Sequence, residues 1–239
     1  METKLRAETR KLLLGVSTAT LTSQLVHHGL TNCFIGGLQP LRPDLRLVGQ
    51  AFTLRYVPVR GELEHARARF DNTTNVQRLA VERIGPGEVL VIDARGEVGS
   101  GAFGHIIATR IMRRGAAGLV TDGAVRDSEG YRSLDLPSYC RQPHAAASSL
   151  RHHPVEMQVP IGCGGVLVEP GDVVVGDQDG VIVFPLALAD EVAEAGHEQE
   201  RLEEYVWRRV NGGESILGVY PPSEATLTAW RAEQGEKGE

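Results

Sequence analysis

Apolar residues recur with two different spacings along the chain, and this division predicts an α/β fold. Residues 4–14 and 19–28 repeat at the spacing of an amphipathic helix, and the second stretch follows Ser17 and Thr18, both possible helix caps, and precedes Gly29. Residues 47–59 are instead rich in branched and aromatic side chains, which indicates a strand. We therefore expect two amino-terminal helices ahead of a sheet.

The centre of the sequence predicts one strand, helix and strand unit. Residues 89–93 are a short apolar run with the branching of a buried strand, and the glycine-rich segment 99–104 follows them. Apolar residues then return at helical spacing over 106–112 until Gly115, and residues 119–122 form a second apolar run. The two strands should lie parallel, joined by a right-handed crossover.

The carboxyl-terminal half changes character, because short apolar runs separated by Gly and Pro predict several strands. These runs are residues 155–159, 166–168, 173–175 and 181–184. A charged amphipathic helix is predicted over 186–210, and the end of the chain is polar. We expect a single domain over residues 1–220 with flanking helices, and a polar, partly flexible tail over 221–239.

Composition narrows the class of protein. The 239 residues are 41% hydrophobic and 23% charged, which is ordinary for a packed globular domain. The formal net charge of −6 argues against nucleic acid as a partner, since a basic face supplies most of that affinity. The three cysteines are widely spaced, and neither a signal peptide nor a membrane-length apolar run is present. We expect a cytoplasmic protein with no membrane partner.

The segment Gly99–Gly104 matches the GxGxxG pattern of dinucleotide-binding loops. Residues 94–98 separate it from the preceding strand, whereas the phosphate-binding pattern begins directly at a strand end, and the β-rich remainder lacks doubly wound repeats. A nucleotide site is therefore disfavoured. Free amides at the start of the following helix can still bind a carboxylate, or the glycines only form a tight turn.

Arg126 and Asp127 follow the second strand of the central unit, so they should face the same crevice as the glycine-rich segment. The arginine offers a planar fork for a carboxylate, and the aspartate offers a hard oxygen ligand for Mg²⁺ or Mn²⁺. An adjacent Arg-Asp pair is also common as a surface ion pair. These residues alone leave both interpretations open.

The adjacent pairs His27–His28 and His152–His153 are not spaced as ligands, and we expect them on the solvated surface.

Several spaced segments together resemble the RraA-like family, which includes the 4-hydroxy-4-methyl-2-oxoglutarate and 4-carboxy-4-hydroxy-2-oxoadipate aldolases. The segments are residues 18–20, 49–53, 104–108, 114–127, 134–137, 160–165 and 170–181. The resemblance covers nearly the whole predicted domain. It implies a swivelling β/β/α domain, similar to phosphohistidine domains, with helices at both ends. It also implies homotrimers or hexamers whose active sites lie at subunit boundaries.

The resemblance implies a role for each site residue. Arg126 would hold the carboxylate and keto oxygen of a pyruvate-like substrate, and Asp127 would anchor a divalent metal, Mg²⁺ or Mn²⁺. A glutamate from the neighbouring subunit's carboxyl-terminal helix often joins the water shell of the metal in this family, and Glu200 is our choice over Glu198 and Glu203. The pocket would be completed by the amides of Gly101, Ala102, Phe103, Gly104 and His105.

The activity implied is that of a class II lyase acting on a small 2-oxo acid, either a 4-hydroxy-2-oxo dicarboxylic acid or oxaloacetate, with pyruvate as the product. A metal and an arginine can stabilise the enolate that carbon–carbon cleavage leaves. An imine mechanism is disfavoured, because the lysines lie only at the termini, at positions 4, 11 and 237. The alternative is a non-catalytic regulator that binds a ribonuclease. That branch of the family can lack the acid after the motif arginine, so Asp127 favours the enzyme.

His105 departs from the family pattern, because the aldolases usually carry Asp, sometimes Glu, at this position. An imidazole can bind metal or move protons near neutral pH, but it removes a negative charge from the surroundings of the metal. Weaker Mg²⁺ binding, a softer metal or an altered substrate would follow. Alternatively, His105 only caps the helix that it begins.

Overall fold

A computed structural model of the chain describes residues 4–61 and 73–236, and most of the charged stretch between the first long strand and the central unit lies outside these ranges. The helices are α1 (Ala7–Leu13), α2 (Thr18–His27), α3 (Val76–Arg83), α4 (His105–Arg113), α5 (Ser128–Tyr131), α6 (Ala189–Asn211) and α7 (Glu224–Glu236). The strands are β1 (Phe34–Ile35), β2 (Gln39–Pro40), β3 (Leu47–Pro58), β4 (Glu88–Asp93), β5 (Gly101–Phe103), β6 (Gly118–Thr121), β7 (Ala124–Val125), β8 (Ser138–Cys140), β9 (Gln142–Pro143), β10 (His152–Met157), β11 (Ile161–Cys163), β12 (Val166–Val168), β13 (Val173–Gly176) and β14 (Val181–Phe184).

A large mixed sheet forms the centre of the fold, in the order β1-β14-β13-β3-β4-β6-β8-β2, with β10 paired to β3. Strands β3, β4, β6 and β8 run parallel, and antiparallel strands flank them. The register pairs Val89 with Gly118 and Val91 with Val120. The predicted strand, helix and strand unit is therefore confirmed, with α4 as the crossover helix.

Both faces of the large sheet are buried, as the apolar run of β4 requires. Leu90 and Ile92 pack on one face with Ile111 of α4. Val89 and Val91, which alternate with them, pack in a second cluster on the other face. The amino-terminal helices and α6 cover β13 and β14 in a third cluster. Its members include Leu13, Leu21, Leu25, Phe184 and Val192.

A second, three-stranded parallel sheet contains β5, β7 and β9. Strand β5 lies inside the glycine-rich segment for which the sequence predicted a loop or tight turn. The difference has a packing cause, because a methyl group at Gly101 would lie 2.7 Å from Arg126 Cβ. The glycine therefore permits two strands to approach closely, and this small sheet leads directly to the predicted site.

The carboxyl-terminal helices form a hairpin beyond the sheet. Trp230 of α7 is buried and packs in one cluster with Tyr205, Val206 and Val219. The polarity of residues 221–239 predicted a flexible tail, whereas residues 224–236 form a helix held by this tryptophan. The division into a domain over 1–220 and a flexible tail stays a prediction. None of the helices in the described part of the chain has the length and apolar character of a membrane span.

Candidate active site

A cavity of about 420 Å³ lies where the amino-terminal ends of α3 and α4 meet the small sheet. The 3₁₀ turn Ser148–Leu150 and the first residues of β10 complete its wall. Five of the predicted site residues line this cavity: Gly101, Ala102, Gly104, Arg126 and Asp127. Phe103 and His105 are not among the lining residues. The structure therefore brings the glycine-rich segment and the Arg-Asp pair into one crevice, as predicted.

Arg126 and Asp127 are fixed by the end of β7. The Arg126 amide donates to Phe103 O at 3.1 Å, which continues the pairing of β7 with β5. Asp127 has φ +60° and ψ +40°, a left-handed conformation that aspartate tolerates better than most residues, and it precedes α5. Arg126 Nε lies 3.4 Å from Asp127 Oδ1, and the two side chains are 40% and 38% exposed. Both groups can therefore reach a ligand in the cavity.

Gly104 lies directly against this pair. A methyl group at Gly104 would lie 2.9 Å from Asp127 Oδ2 and 3.4 Å from Arg126 Cγ. The first distance is shorter than side-chain carbons tolerate, so the carboxylate would have to move. Gly104 thus lets the amino-terminal end of α4 approach the Asp127 carboxylate.

His105 is the first residue of α4 and lies behind the Asp127 carboxylate. Its Nδ1 is 3.4 Å from Asp127 Oδ2, but this buried nitrogen has no hydrogen-bond partner of acceptable geometry. A methyl group at Gly130 would lie 2.6 Å from His105 Cγ, so the ring packs against the Gly130 backbone. The α4 N-cap is Gly104, and no side chain forms a cap there. The alternative in which His105 caps the helix is therefore wrong.

The predicted backbone amides lie in two elements, because Gly101, Ala102 and Phe103 belong to β5, whereas Gly104 and His105 begin α4. The Gly101 amide donates to Ala146 O at 3.0 Å and is thus occupied. The side chain of Phe103 is buried in the core. The first amides of an α-helix have no partner within it, and two residues of the first turn of α4, Ile106 and Ile107, line the cavity. The α4 amino terminus is therefore a better candidate for binding an anion than the glycine-rich strand.

Buried side chains form hydrogen bonds with the backbone carbonyls at and just before β5. The Ala102 carbonyl accepts hydrogen bonds from Gln77 Nε2 at 2.9 Å and from the Tyr56 hydroxyl at 3.2 Å. His152 Nε2 lies 3.2 Å from Ser100 O. Burial lowers the pKa of His152, which keeps it neutral at pH 7 with Nε2 assigned as the donor. Burial likewise raises the pKa of Tyr56, so its hydroxyl remains a donor.

The sequence alone did not indicate these supporting residues. The expectation that His152 lies on the solvated surface is wrong, because it is only 2% exposed. Gln77 stands in no motif, and its contact with Ala102 joins residues far apart in sequence. The cap formed by Asn75 Oδ1, which accepts from the Arg78 amide at 3.1 Å, is a local feature that indicates α3.

Asp122 has a structural role. Its carboxylate is 3% exposed and accepts from three amides: Ala94 at 2.7 Å, Gly96 at 2.9 Å and Gly164 at 3.1 Å. It therefore ties the loop after β4 to the turn after β11. A dinucleotide site would use an acidic residue near this point to bind ribose, but all of these contacts are internal.

Glu200 is engaged within its own chain. Glu200 Oε1 accepts from the Ser17 amide at 2.8 Å, at the start of α2. Burial opposes ionisation, but hydrogen bonds from Ser17 and Thr20 outweigh it, and the pKa of Glu200 falls below its ordinary value. Glu198 contacts Arg201, and Glu203 accepts from Gln199. Participation of Glu200 in a neighbouring subunit's site stays a prediction.

The described residues contain no group of three or more His, Cys, Asp or Glu side chains arranged to hold a metal. Asp127 is the carboxylate that lines the cavity, and the buried His105 Nδ1 lies 3.4 Å behind it. Mg²⁺ commonly binds one or two carboxylates and keeps several waters, so a small donor set fits it.

Comparison with known proteins decides the family. The RraA-like family, described as Aldolase/RraA, matches residues 18–183. The chain belongs to this family. The RraA-like match spans the large sheet and all the predicted site residues except Glu200.

Two relatives match most of the chain. A protein of Halalkalibacterium halodurans named "Putative 4-hydroxy-4-methyl-2-oxoglutarate aldolase" is 32% identical over 192 residues, which cover 80% of this chain and 84% of that protein. The crystal structure of Streptomyces coelicolor RraAS2, described as an unusual member of the RNase ES inhibitor RraA protein family, is 31% identical. It matches with a TM-score of 0.75 over 84% of this chain and 96% of that one. The predicted RraA-like fold, with helices at both ends, is confirmed.

A third match supports the fold alone. An uncharacterized protein from Pseudomonas syringae pv. tomato has 24% sequence identity and a TM-score of 0.78. The match covers 92% of this chain and 100% of that one.

Proposed function

We propose that this protein is a divalent-metal-dependent lyase that releases pyruvate from a 4-hydroxy-2-oxo dicarboxylic acid, with decarboxylation of oxaloacetate as a related activity. The observation that carries the proposal is the meeting of Arg126 and Asp127 with the amino terminus of α4 in one cavity. The aldolase name of the Halalkalibacterium halodurans relative agrees with it.

The chain's own residues supply binding and charge stabilisation. Arg126 offers parallel N–H donors to the substrate carboxylate and keto oxygen, and its positive charge stabilises an enolate as it forms. The first-turn amides of α4, together with the positive end of the helix dipole, add to this effect. A metal held by Asp127, with His105 beside it, would supply Lewis-acid stabilisation of the keto oxygen. Gly104 keeps the carboxylate and the helix end close together.

An imine mechanism does not suit this site. The lysines of the described part, Lys4 and Lys11, precede and lie within α1, and neither lines the cavity. In the proposed mechanism, Arg126, the α4 amides and a divalent cation stabilise the charge that develops on the substrate.

We also propose a homotrimer or hexamer whose sites lie at subunit boundaries, with Glu200 contributed by a neighbouring copy. The Arg126 and Asp127 side chains are about two-fifths exposed in the single chain, so a neighbouring subunit has access to them. The contact of Glu200 with Ser17 orients its carboxylate within its own subunit. Light scattering and a structure of the assembly test this part of the proposal.

The activity is tested with a coupled assay for pyruvate, using purified protein, Mg²⁺ or Mn²⁺, and a panel containing 4-hydroxy-4-methyl-2-oxoglutarate, 4-carboxy-4-hydroxy-2-oxoadipate and oxaloacetate. We expect pyruvate from at least one acid, loss of the activity with EDTA and recovery with added metal. No pyruvate from the whole panel, or full activity in EDTA, would show that the proposed function is wrong.

The alternative is a metal-independent regulator of a ribonuclease. The 31% identity to RraAS2, a member of a family of RNase ES inhibitors, is the observation that favours it. Inhibition of a ribonuclease of the E type, unchanged by EDTA and by Asp127→Asn, would support this alternative. The cavity beside Arg126 and Asp127 favours the lyase, since a regulator that acts through its outer surface needs no such cavity.

A further inference from the structure

Strand β5 separates two arginines that face the same cavity. Phe103 O accepts from the Arg126 amide on the β7 side of β5. Ala102 O accepts from Gln77 Nε2 of α3, and successive residues of a strand direct their carbonyls to opposite edges. Helix α3 and strand β7 therefore flank β5 on opposite edges. Arg78, the residue after Gln77, lines the cavity together with Arg126.

The position of Arg78 is set by its own helix. Asn75 caps α3 by accepting from the Arg78 amide, and Gln77 is 7% exposed and bonded to β5. The backbone on both sides of Arg78 is therefore fixed relative to the floor of the cavity. A guanidinium group based at this position reaches ligands from the edge opposite Arg126.

The two arginines that line the cavity suit an anion with two carboxylates, one for each guanidinium group. The described lining of the cavity contains two arginines, Arg78 and Arg126, against one carboxylate, Asp127, and no glutamate. His152 is neutral because burial lowers its pKa. The hydroxyl groups of Ser148 and Ser149 add neutral donors on the wall.

We propose that Arg78 is the specificity-determining residue that binds the distal carboxylate of a dicarboxylic substrate, whose 2-oxo acid end is held by Arg126. This proposal rests on the lyase function proposed above and names the substrate class of the same site. Binding at both ends places the bond to be cleaved over β5, between the two arginines. An acid that lacks the distal carboxylate cannot form the contact with Arg78, so it gains nothing from the residue.

The test compares two substrates that differ only at the distal group: 4-hydroxy-4-methyl-2-oxoglutarate, and 4-hydroxy-4-methyl-2-oxopentanoate, in which a methyl group replaces that carboxylate. We expect Arg78→Met to lower kcat/KM for the dicarboxylic acid about 10- to 100-fold, mainly through KM, and to leave kcat/KM for the analogue unchanged. Arg78→Lys should recover part of the loss. The control is Arg83→Met, an exposed arginine of the same helix outside the cavity, which should change neither value.

Equal losses for both substrates, or no loss for either, would overturn the assignment of Arg78 while the lyase activity of the unmodified protein stands. If the unmodified protein cleaves neither acid, the lyase function itself has failed. The subsite is then tested by binding alone, as the shift in unfolding temperature that 2-oxoglutarate or 2-oxobutyrate causes. Stronger stabilisation by 2-oxoglutarate that Arg78→Met abolishes supports the subsite, and equal shifts in both proteins reject it.

Discussion

His105 Nδ1 lies 3.4 Å from Asp127 Oδ2, across the junction of α4 with the end of β7. Gly130 packs behind the imidazole, and Gly104 lies against the carboxylate. Two glycines therefore hold an imidazole where the family's aldolases usually have a second carboxylate. The consequence for metal binding depends on charge, because an imidazole does not supply the negative charge that a hard cation such as Mg²⁺ prefers.

Asp127→Asn should abolish most of the activity without unfolding the protein. Asparagine tolerates the left-handed backbone of residue 127 as aspartate does, whereas alanine would add strain. We expect a loss of at least about 100-fold in kcat/KM, since loss of even a partner of a metal ligand costs about 10- to 100-fold. The free energy of unfolding should stay within about 0.5 kcal/mol. Pyruvate assays and urea denaturation measure the two quantities.

The matched control is Asp135→Asn, an exposed aspartate outside the cavity, which should keep full activity. Activity within twofold of the unmodified protein in Asp127→Asn would remove Asp127 from the proposed metal site.

Gly104→Ala should reduce activity through a small displacement. The added methyl group would lie 2.9 Å from Asp127 Oδ2, so the carboxylate must move by several tenths of an ångström. We expect at least about a tenfold loss in kcat/KM, because misplacement by about 1 Å can cost 100-fold. Gly162→Ala is the control, since a methyl group there meets no atom within 4 Å. If both variants are equally active, the close approach at Gly104 has no catalytic importance.

His105→Asp should strengthen Mg²⁺ binding and weaken the metal-free fold. A second carboxylate beside Asp127 attracts the ion, and we expect roughly a tenfold lower Kd for Mg²⁺. Without metal, the two carboxylates repel each other, which should cost about 0.5–1 kcal/mol of stability that Mg²⁺ restores. Calorimetric titration and thermal unfolding with and without Mg²⁺ measure both effects.

His105→Asn provides the neutral control for this substitution. It should show neither the tighter binding nor the metal-dependent gain in stability. An unchanged Kd in His105→Asp would show that the charge at this position does not govern metal affinity.

The central unit could be predicted because its periodicity is local. The apolar run of β4, the helical spacing of α4 and the stop at Gly115, whose φ is +88°, each depend on neighbouring residues alone. Strand β5 could not, because its pairing with β7 depends on the tertiary approach at Gly101. Strand β11 was missed for a related reason, since the glycines that follow Cys163 are typical of a turn.

The residues of the candidate site also differ in whether the sequence could predict them. Arg126 and Asp127 could be predicted, because loops at the carboxyl ends of parallel strands meet at one edge of a sheet. Arg78 and Gln77 could not, since α3 is placed at the cavity by tertiary contacts such as the long-range hydrogen bond from Gln77 to Ala102. The family resemblance did not indicate them, because no segment that carries it includes α3.

Glu200→Gln should lower stability near neutral pH and have little effect in acid. The carboxylate accepts from the Ser17 amide, and its pKa in the folded protein is below the ordinary value of 4.5. A lowered folded-state pKa contributes stability that is present above pH 4.5 and is lost as the pH falls through the folded-state pKa. Because Glu200 is only partly buried, solvent screening limits the effect to about 0.5 kcal/mol. Urea denaturation at pH 7 and in acid measures the free energy of unfolding of the variant and of the unmodified protein. The difference between the two proteins should shrink in acid. A difference independent of pH would show that the charge of Glu200 does not stabilise the start of α2. The same variant separates the contact with Ser17 from the proposed metal role. If Glu200 only contacts Ser17, the Kd for Mg²⁺ stays unchanged, whereas loss of a ligand to a neighbouring subunit's metal raises it.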